Sequence, residues 1–416
     1  MKEMKNLEFK SEVTNTFLKT VSAFANYEGG QIKFGVSDKG EAIGLSDPVQ
    51  SCLDIENRIN DTISPQPQYE LSIQEADKTI TLTVKAGRNK PYMYKSKAYK
   101  RNDTATIEVD GLELSRLILQ GKNINYEDLS ADTQELSFNY LEEKAKKEIG
   151  IGSLNKDILK TLNLYSDSDG YNHAAELLAD NNNFPGIDIA RFGENISIIL
   201  KRATFEKHSV LDELEKTVEV YRDYYQYEEI KGIDRIKVEI IPEEALRETI
   251  ANALIHRTWD INAHIRVLMF DDRIEVISPG GLPFGITEAE YLKGNVSILR
   301  NPILGNVFYR LHTVEILGTG ILRIQAAYDR SNKKPIFEVY ENSIKVTLPV
   351  ISNIELTEDE ASVYKVLSKA LSKSISEINE TVPFGRSKTT VLLKRLADKG
   401  YVSIIGRGKG TKYKMN

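Results

Sequence analysis

The N-terminal part of the chain changes from a helical to a strand-like hydrophobic pattern within a few residues. Apolar side chains recur at helical spacing over residues 17–25, which predicts an amphipathic helix. Gly29 and Gly30 are expected to end it, because glycine readily takes the left-handed conformation of a helix C-terminus. Apolar and polar residues then alternate over residues 31–36, which predicts a half-buried strand.

A turn and a second strand are expected next. The segment "SDKG" (37–40) has turn residues, and "EAIGL" (41–45) is predicted to return as a strand. Asp38 then lies at a strand tip, where a rigid scaffold presents an exposed side chain. The pattern alone favours an ordinary turn aspartate, and a functional carboxylate is the alternative.

Patterns further along divide the chain into four parts. The segment "VDGLELSRLILQ" predicts a helix that closes residues 1–122, which are otherwise mixed α/β. Residues 123–235 are predicted to be a polar, helical connecting region, with helices in "DILKTLNL" and "YNHAAELLAD" and a short strand "ISIIL". Residues 236–350 begin with a strand and a long helix, and "HIRVLMF" and "IEVIS" then predict a hairpin. Residues 351–416 form the C-terminal part.

The C-terminal part has the pattern of three helices and a two-stranded wing, the latter in "KGYVSIIGRGKGTKYKM". The third helix is predicted to bury Val391, Leu392 and Leu396. It is predicted to expose a polar and basic face that consists of Arg386, Lys388, Thr389, Thr390, Lys394 and Arg395. This order resembles a winged helix-turn-helix, which implies that the third helix enters a DNA major groove. A winged helix that contacts protein is the alternative.

Composition places the chain among ordinary globular proteins. It has 416 residues, of which 41% are hydrophobic and 28% charged, so several domains are expected. Cys52 is its one cysteine, which excludes an internal disulfide framework and a cysteine-rich zinc site. No segment has the pattern of a signal peptide or a membrane span, so a cytoplasmic location is expected.

Charge is distributed unevenly, although the net charge is −6. Residues 85–101 hold seven Lys or Arg, no acid and three interleaved tyrosines, and residues 383–416 hold nine Lys or Arg against one acid. Because nucleic-acid sites combine cations with aromatic rings, two backbone-contacting surfaces are expected, with two solvated faces as the alternative. The predicted contacts are Arg88, Lys90, Lys95, Lys97, Lys100 and Arg101 in the first segment, and Arg386, Lys388, Lys394, Arg395, Arg407 and Lys409 in the second.

A helix in the third part carries Glu248, Asn252 and His256 on one face, four residues apart. Two glycine segments follow, "VISPGG" and "GTGILRI". Together with "LIHR", "FDDRIEVISPGGLP" and "RNPIL", they resemble the GHKL ATPases over residues 236–350. The resemblance is strongest to the divergent GHKL module of bacterial helicase-like proteins and transcriptional regulators.

The resemblance implies a site for ATP and Mg²⁺. Asn252 would hold the metal through its carbonyl oxygen, and Glu248 would act as the general base that polarises a water. Gly318, Thr319 and Gly320 would approach the phosphates with backbone N–H groups near a helix start. Both binding without turnover and a weak ATPase activity are compatible with these residues.

The first glycine segment departs from the family pattern. The family has an aspartate there that accepts the adenine amino group, whereas this chain has Ser278, followed by Gly280 with one residue less between the glycines. Serine can form a hydrogen bond but lacks the charge and the reach of aspartate. Adenine specificity is therefore an open question.

The N-terminal blocks "EFK", "AFANYEGG", "FGVSDKGEAIGL", "KPYMY" and "AYKR" resemble the Schlafen AlbA-type domain over residues 3–105. The resemblance implies nucleic-acid binding, and some members cleave RNA with three carboxylates. The matching positions here are Glu3, Glu8 and Asp38, with Lys10 beside them to stabilise developing charge. Such carboxylates would bind Mg²⁺ or Mn²⁺ through hard oxygens.

The combined prediction is an α+β multidomain protein with a Schlafen-like α/β domain, a GHKL-like α/β sandwich and a winged helix-turn-helix. The main hypothesis is a nucleic-acid-binding, nucleotide-responsive regulator that uses ATP and Mg²⁺. The alternative is a nuclease that depends on Mg²⁺ or Mn²⁺ and cleaves RNA or single-stranded DNA, in a defence role. A helicase is rejected, because the sequence has no "GxxxxGKS" or "GxxxxGKT" phosphate loop. The expected partners are DNA or RNA and a nucleotide, and a homodimer is left open.

Overall fold

The computed structural model describes most of the chain. The described residues are 2–232, 234–283, 285–294, 298–314, 318–329, 331–351, 356–368, 371–406 and 408–415, and the side chains of Lys231 and Lys409 are outside the description.

The N-terminal part is a mixed α/β unit around a four-stranded sheet. Its elements are β1 (Leu7–Lys10), α1 (Phe17–Asn26), β2 (Gly30–Phe34), α2 (Pro48–Thr62), β3 (Ile63–Ser64), β4 (Tyr69–Gln74), β5 (Thr79–Val84), β6 (Met93–Tyr94), β7 (Tyr99–Asn102), β8 (Ala105–Glu108) and α3 (Gly111–Lys122). The sheet order is β1-β2-β5-β4, with β1 parallel to β2 and the other pairs antiparallel. α1 packs on this sheet, and its side chain Phe17 meets Phe34 edge to face at 5.2 Å between ring centroids.

The predicted helix and strand at the start are confirmed as α1 and β2. Gly29 has a φ of +78°, and a Cβ there would lie 2.8 Å from the carbonyl oxygen of Val84, so the position requires glycine. The prediction of a strand over residues 41–45 is wrong. One isolated bridge joins Val36 to Ala42, and β2 instead uses its two edges for β1 and β5, which are distant in sequence.

The central part is built on a six-stranded sheet. Its elements are α4 (Asn139–Glu148), α5 (Lys156–Thr161), β9 (Tyr165–Ser166), β10 (Gly170–Tyr171), α6 (His173–Leu178), β11 (Ile187–Phe192), β12 (Ile199–Phe205), α7 (Val210–Tyr225), β13 (Gln226–Lys231), β14 (Asp234–Glu239), α8 (Glu243–His256), β15 (Ile265–Met269), β16 (Arg273–Pro279), α9 (Glu288–Lys293), α10 (Pro302–Arg310), α11 (Gly320–Ala326), β17 (Ile336–Val339) and β18 (Ser343–Pro349). The sheet order is β12-β11-β15-β16-β18-β17.

The structure differs from the predicted division at residue 236. β11 pairs in parallel with β15, from Ile187 opposite Ile265 to Arg191 opposite Met269, so residues 187–205 complete the same sheet. One hydrophobic core accordingly extends from Leu141 to residue 348. The predicted helices in residues 123–235 are confirmed as α5 and α6, and the predicted hairpin as β15 and β16.

The C-terminal part is a small winged-helix unit with its own core. Its elements are α12 (Glu358–Lys365), β19 (Lys373–Ser374), α13 (Ile375–Asn379), α14 (Arg386–Asp398), β20 (Val402–Ile405) and β21 (Lys412–Met415), with sheet order β19-β21-β20. This confirms three helices followed by a wing.

The buried stripe of α14 differs from the prediction at two positions. The stripe consists of Thr389, Leu392, Leu393 and Leu396, which recur at helical spacing. Thr389 is therefore buried rather than exposed, and the side chain of Val391 is 52% exposed rather than buried. Val391 consequently belongs to the basic outer face of the helix.

Candidate functional site

Helix α8 and the start of α11 bring together three of the residues that the sequence singles out. The Asn252 amide nitrogen Nδ2 donates to Glu248 Oε1 at 3.2 Å. Gly320 is the first residue of α11, and a Cβ there would lie 2.5 Å from Glu248 Oε1 and 2.6 Å from Asn252 Nδ2. A side chain at this position would require Glu248 or Asn252 to shift, so the glycine allows α11 to approach this carboxylate and amide closely.

A cavity lies beside this contact, between α8, β16 and the two glycine segments. Of the predicted nucleotide contacts, Asn252, Ser278, Gly280, Gly318 and Gly320 line it. Most of the remaining wall is apolar and includes Ile255, Val276, Leu299, Ile321, Ile324, Phe337 and Val346. Thr319 is not part of the lining. An apolar cleft with a few convergent polar groups is the usual form of a small-molecule site.

Ser278 is buried in the cavity wall, with 8% of its surface exposed. Its hydroxyl donates to the Ala253 carbonyl oxygen of α8 at 3.1 Å. The hydroxyl proton is therefore used within the protein, and the oxygen lone pairs remain to accept a hydrogen bond from a ligand.

Arg300 fixes the first glycine segment, a role that the sequence did not indicate. Its Nη1 donates to Thr258 Oγ1 at 2.5 Å and its Nη2 to the Gly281 carbonyl oxygen at 2.7 Å. Gly280 has a φ of +100°, and a Cβ there would lie 2.0 Å from Thr258 Oγ1. The glycine loop is thereby held against the segment that follows α8.

His256 completes the polar part of the cavity wall. Burial, and secondarily the positive charge of Arg300, lowers its pKa from 6.5 to about 4. The imidazole is therefore neutral near pH 7, so it presents one hydrogen-bond donor and one acceptor rather than a cation.

The cavity rim is tied to the N-terminal part through helix α3. Arg116 of α3 forms a two-point ion pair with Asp260, two residues after Thr258. One turn away on α3, Glu113 accepts hydrogen bonds from the Tyr27 hydroxyl at 2.7 Å and from Lys100 Nζ at 2.5 Å. Polar contacts, joined by short stretches of backbone, thus lead from the glycine loop through α3 to Tyr27, which follows α1, and to β7.

Glu8, predicted as a metal ligand, is a buried ion-pair partner. It is 5% exposed, and its two oxygens lie 2.6 Å from Lys10 Nζ and 2.5 Å from Arg101 Nη1. The Thr20 hydroxyl donates to it at 2.7 Å. Glu3 is engaged as well, because its Oε1 accepts the backbone N–H of Phe9 at 2.8 Å. Both carboxylates therefore stabilise the N-terminal strand.

The third carboxylate, Asp38, is exposed in the turn after β2. β1 and β2 run parallel with Glu8 opposite Ile32, and Asp38 follows Ile32 by six residues, after the end of β2. Among the residues that the structure describes, no three His, Cys, Asp or Glu side chains form a group that could hold a metal ion. The structure does not bring Glu3, Glu8 and Asp38 together as the resemblance implies.

The basic segment 85–101 is largely neutralised by acids from outside it. Lys97 pairs with Glu108 of β8 and Lys100 with Glu113 of α3, while Arg101 pairs with Glu8. Lys90 is buried, and burial lowers its pKa from 10.5 to about 8. Arg88 and Lys95 are the exposed members of the predicted set without an acidic partner in the described structure.

The three tyrosines of this segment are core residues. Tyr92, Tyr94 and Tyr99 are 3%, 4% and 6% exposed and belong to the hydrophobic cluster under α1. Their rings are therefore not available to stack on bases, which corrects the interpretation of the aromatic interleaving.

Helix α14 presents the basic face predicted for the winged helix. Arg386, Lys388, Lys394 and Arg395 are exposed, together with Val391. Lys388 is paired with Asp359 at 2.7 Å. Arg386, Lys394 and Arg395 have no acidic partner in the described part of the chain. Arg407 and the side chain of Lys409 lie outside the described residues.

Three family models match successive stretches of the chain. Residues 3–110 match the SLFN_AlbA_2 family, "Schlafen, AlbA_2". Residues 262–348 match HATPase_c_4, "Putative ATP-dependent DNA helicase recG C-terminal". Residues 351–415 match "Sugar-specific transcriptional regulator TrmB". The second match begins after α8 and includes both glycine segments. A comparison with curated protein sequences gave no significant match.

Solved structures offer two comparisons. The DIP2311 protein of Corynebacterium diphtheriae is 19% identical over 99% of this chain and 92% of its own, with a TM-score of 0.49. The N-terminal domain of a "Putative ATP-dependent DNA Helicase RecG-related Protein" from Nitrosomonas europaea is 25% identical, covers 25% of this chain and 83% of its own, and has a TM-score of 0.20.

The matches agree with the order of parts in the structure. The α+β multidomain fold and its winged helix are as the sequence predicts. No helix in the described residues is sufficiently long and apolar to cross a membrane. The chain therefore joins a Schlafen AlbA_2-like unit, an ATPase-like unit similar to HATPase_c_4 and a TrmB-like winged helix, in that order.

Proposed function

We propose that this protein is a nucleic-acid-binding regulator whose central cavity binds a purine nucleoside triphosphate with Mg²⁺, and that nucleotide binding changes its affinity for nucleic acid. The observation that carries the proposal is the contact of Gly320 with Glu248 and Asn252. It places a helix start, a carboxylate and an amide around one point beside an apolar cavity.

Asn252 has the chemistry that a magnesium ion requires. Its Nδ2 is used by Glu248, so its carbonyl oxygen Oδ1 remains as a hard ligand. Mg²⁺ is commonly held by one or two protein oxygens together with substrate phosphates. When bound, the ion would neutralise phosphate charge, and Glu248 would be the group that accepts a proton from a water if the nucleotide is hydrolysed.

The apolar part of the cavity suits a purine ring. Ser278 accepts but carries no charge, and the neutral His256 can donate or accept. Ser278 therefore favours an amino substituent, but without the charge of an aspartate, and the neutral His256 can donate to a carbonyl or accept from an amino group. Weak discrimination between adenine and guanine nucleotides is therefore part of the proposal.

The winged helix supplies the DNA contact in this proposal. Arg386, Lys394 and Arg395 on α14 can neutralise phosphates, and Val391 among them can contact a thymine methyl group. The N-terminal unit is a second nucleic-acid contact, in line with its family match. The N-terminal unit exposes fewer unpaired cations than the sequence suggests. We therefore assign to α14 the larger part of the electrostatic attraction to nucleic acid.

Thermal unfolding tests the nucleotide site directly. A ligand that binds only the folded state raises the Tm. Mg²⁺ with ATP or GTP should raise the Tm of the wild type and leave that of Asn252→Ala unchanged. Asn306→Ala is the matched control, because Asn306 is a half-buried helical asparagine that does not line the cavity. A wild-type Tm that no purine nucleotide changes would refute the site.

A further inference from the structure

One end of the cavity has an apolar floor that three neighbouring strands form. Val276 of β16 lies opposite Val346 of β18, and Val346 lies opposite Phe337 of β17, so the three side chains share one face of the sheet. All three line the cavity. Ser278 follows Val276 by two residues and is therefore on the same face of β16. A planar ring that lies on this floor has the Ser278 hydroxyl at its border.

The last turn of α8 forms a second border at the same end. The Ser278 hydroxyl donates to the Ala253 carbonyl oxygen at 3.1 Å, and the backbone N–H of Thr258 donates to the Pro279 carbonyl oxygen at 3.0 Å. The end of β16 thus runs beside residues 253–258. His256 lies within this turn and lines the cavity. His256 and Ser278 therefore border the same end of the cavity.

His256 has hydrogen-bonding capacity that the protein itself does not use. In the described part of the chain, neither of its ring nitrogens has a hydrogen-bond partner. The other polar side chains that α8 contributes to the lining are engaged: Thr249 donates to the Ala245 carbonyl oxygen at 2.7 Å, and Asn252 donates to Glu248 at 3.2 Å. Because an unpaired polar group in an apolar wall is costly, this imidazole is suited to pair with a ligand.

The Tyr291 hydroxyl is a second unused polar group in the lining, but it belongs to another part of the cavity. Burial raises the pKa of Tyr291 from 10.0 to about 12, and the described residues offer its hydroxyl no hydrogen bond. Gly294, three residues later, borders α11, since a Cβ there would lie 3.1 Å from Leu322 Cγ and 3.5 Å from the Gly318 carbonyl oxygen. Gly318 is in the segment assigned to the phosphates. We therefore assign Tyr291 to the phosphate side and His256 to the base.

Arg300 determines which hydrogen bonds His256 can form. Its guanidinium is engaged on Thr258 and on the Gly281 carbonyl oxygen, and its charge adds to burial in keeping the imidazole neutral. A neutral imidazole has one donor and one acceptor nitrogen, and its two tautomers exchange these roles. The ring can therefore accept from the N6 amino group of adenine or donate to the O6 carbonyl of guanine.

We propose that His256 forms a hydrogen bond with the exocyclic group at this edge of the purine, whether that group is the adenine N6 amino group or the guanine O6 carbonyl. The inference rests on the proposed nucleotide site, and it goes further by assigning recognition of the base edge to one side chain. The site then selects purines by the presence of the exocyclic group more than by its identity.

Isothermal titration calorimetry of the full chain with Mg²⁺ tests the assignment. The ligands are ATP, GTP and purine riboside triphosphate, which lacks the exocyclic group. The wild type should bind ATP and GTP each about tenfold more tightly than the analogue, which is the effect of one hydrogen bond. His256→Leu should bind all three ligands within about twofold of one another. His256→Gln, which keeps a donor and an acceptor, should retain most of the preference.

Two controls separate base recognition from a structural role of His256. Tyr291→Phe removes the other unused polar group of the lining and should keep the wild-type preference. Tripolyphosphate has the phosphates without the base, so the wild type and His256→Leu should bind it equally in Mg²⁺. Weaker tripolyphosphate binding by His256→Leu would mean that the ring supports the fold of the cavity, and the assignment would be wrong.

The remaining outcomes distinguish this inference from the proposed function. If the wild type binds nucleotides without preferring ATP and GTP over the analogue, or if His256→Leu keeps the preference, His256 does not recognise the base, and the nucleotide site itself stands. If the wild type binds no purine nucleotide, both the site and this inference are overturned.

Discussion

Arg116 and Asp260 form a two-point ion pair between the N-terminal and central units. Arg116 Nε donates to Asp260 Oδ2 at 2.7 Å, and Nη2 donates to Oδ1 at 3.0 Å. The hydrogen bonds to Asp260 contribute most to raising the pKa of the Arg116 guanidinium. Asp260 follows Thr258, which Arg300 holds against the glycine loop. The pair therefore links α3, which contacts β7 through Glu113, to the segment beside the candidate nucleotide cavity.

Arg116→Ala should uncouple nucleotide binding from nucleic-acid binding by the N-terminal unit. Couplings between sites are typically about 1–3 kcal/mol, or roughly 5–150-fold in affinity. We expect the effect of Mg²⁺ and nucleotide on nucleic-acid affinity to fall below about twofold in this variant, with nucleotide affinity retained, because the cavity lining is intact. Fluorescence anisotropy of labelled nucleic acid, with and without nucleotide, measures this change in affinity.

Arg222→Ala is the control for that variant. It removes an equal two-point pair, with Glu243, that lies wholly within the central unit. If both variants lose the effect of nucleotide on nucleic-acid affinity, or neither does, the Arg116–Asp260 pair does not couple the two sites.

Gly320→Ala should weaken nucleotide binding at least about tenfold, since a methyl group would occupy the space beside Glu248 Oε1 and Asn252 Nδ2. Gly111→Ala is the matched control, because Gly111 is likewise the first residue of a helix but has no atom within 4 Å of an added Cβ. Isothermal titration calorimetry of both variants gives the comparison. Equal affinities in the two would mean that α11 does not border the ligand.

Local sequence patterns predicted the helices and strands well, but they did not predict which strands pair over long distances in sequence. The periodicity of residues 17–36 is enough to place α1 and β2, because both depend on neighbours in sequence. The partner of Ile187 is Ile265, which no local pattern indicates, so β11 and β12 were assigned to a separate region.

Prediction of the candidate sites was likewise limited by contacts between residues that are distant in sequence. Gly320, Glu248 and Asn252 were singled out by the resemblance to the GHKL ATPases, and the fold brings them together. The charge of residues 85–101 was misjudged because its neutralising acids, among them Glu108 and Glu113, lie outside the segment. A count of charges within a window does not include partners that the fold supplies.

The Glu8–Arg101 pair should be important for stability. Both side chains are buried, and removing one partner of a buried ion pair typically costs about 3–5 kcal/mol, since the other charge is left uncompensated. Glu8→Ala and Arg101→Ala should each lower the free energy of unfolding by such an amount, and the double variant by less than their sum. Urea denaturation of the wild type, the two single variants and the double variant measures their free energies of unfolding. A Glu8→Ala variant as stable as the wild type would instead fit a carboxylate kept for catalysis.

Stability should fall with rising pH because of Glu213 on α7. Burial raises its pKa from 4.5 to about 9, and its Oε2 has no hydrogen-bond partner in the described structure. Between these values the folded state holds a proton that the unfolded state releases, so unfolding becomes easier as pH rises, by up to about 1.4 kcal/mol per unit. Glu213→Gln should remove this contribution.

Denaturation curves from pH 5 to pH 9 should therefore show Glu213→Gln gaining stability relative to the wild type as pH rises. Glu219→Gln, an exposed position on the same helix, should follow the wild type throughout. A constant difference between Glu213→Gln and the wild type would show that the carboxylate is ionised in the folded protein.

Lys394→Ala on α14 should reduce the salt dependence of duplex binding. Each phosphate contact contributes a slope of about −0.9 in log affinity against log salt. Loss of one contact should flatten the slope by about one unit. Lys365→Ala, on the exposed face of α12, serves as the control and should leave the slope unchanged. An unchanged slope in Lys394→Ala would favour a winged helix that contacts protein.

The central claim is that nucleotide binding in the cavity controls nucleic-acid affinity, and one titration tests it most directly. Labelled duplex DNA and single-stranded RNA are titrated with the wild type and with Asn252→Ala, each with and without Mg²⁺ and ATP. We expect the wild-type affinity for at least one of these nucleic acids to change about fivefold or more with nucleotide, and that of Asn252→Ala to stay constant. Identical wild-type curves with and without nucleotide, for both nucleic acids, would contradict the claim.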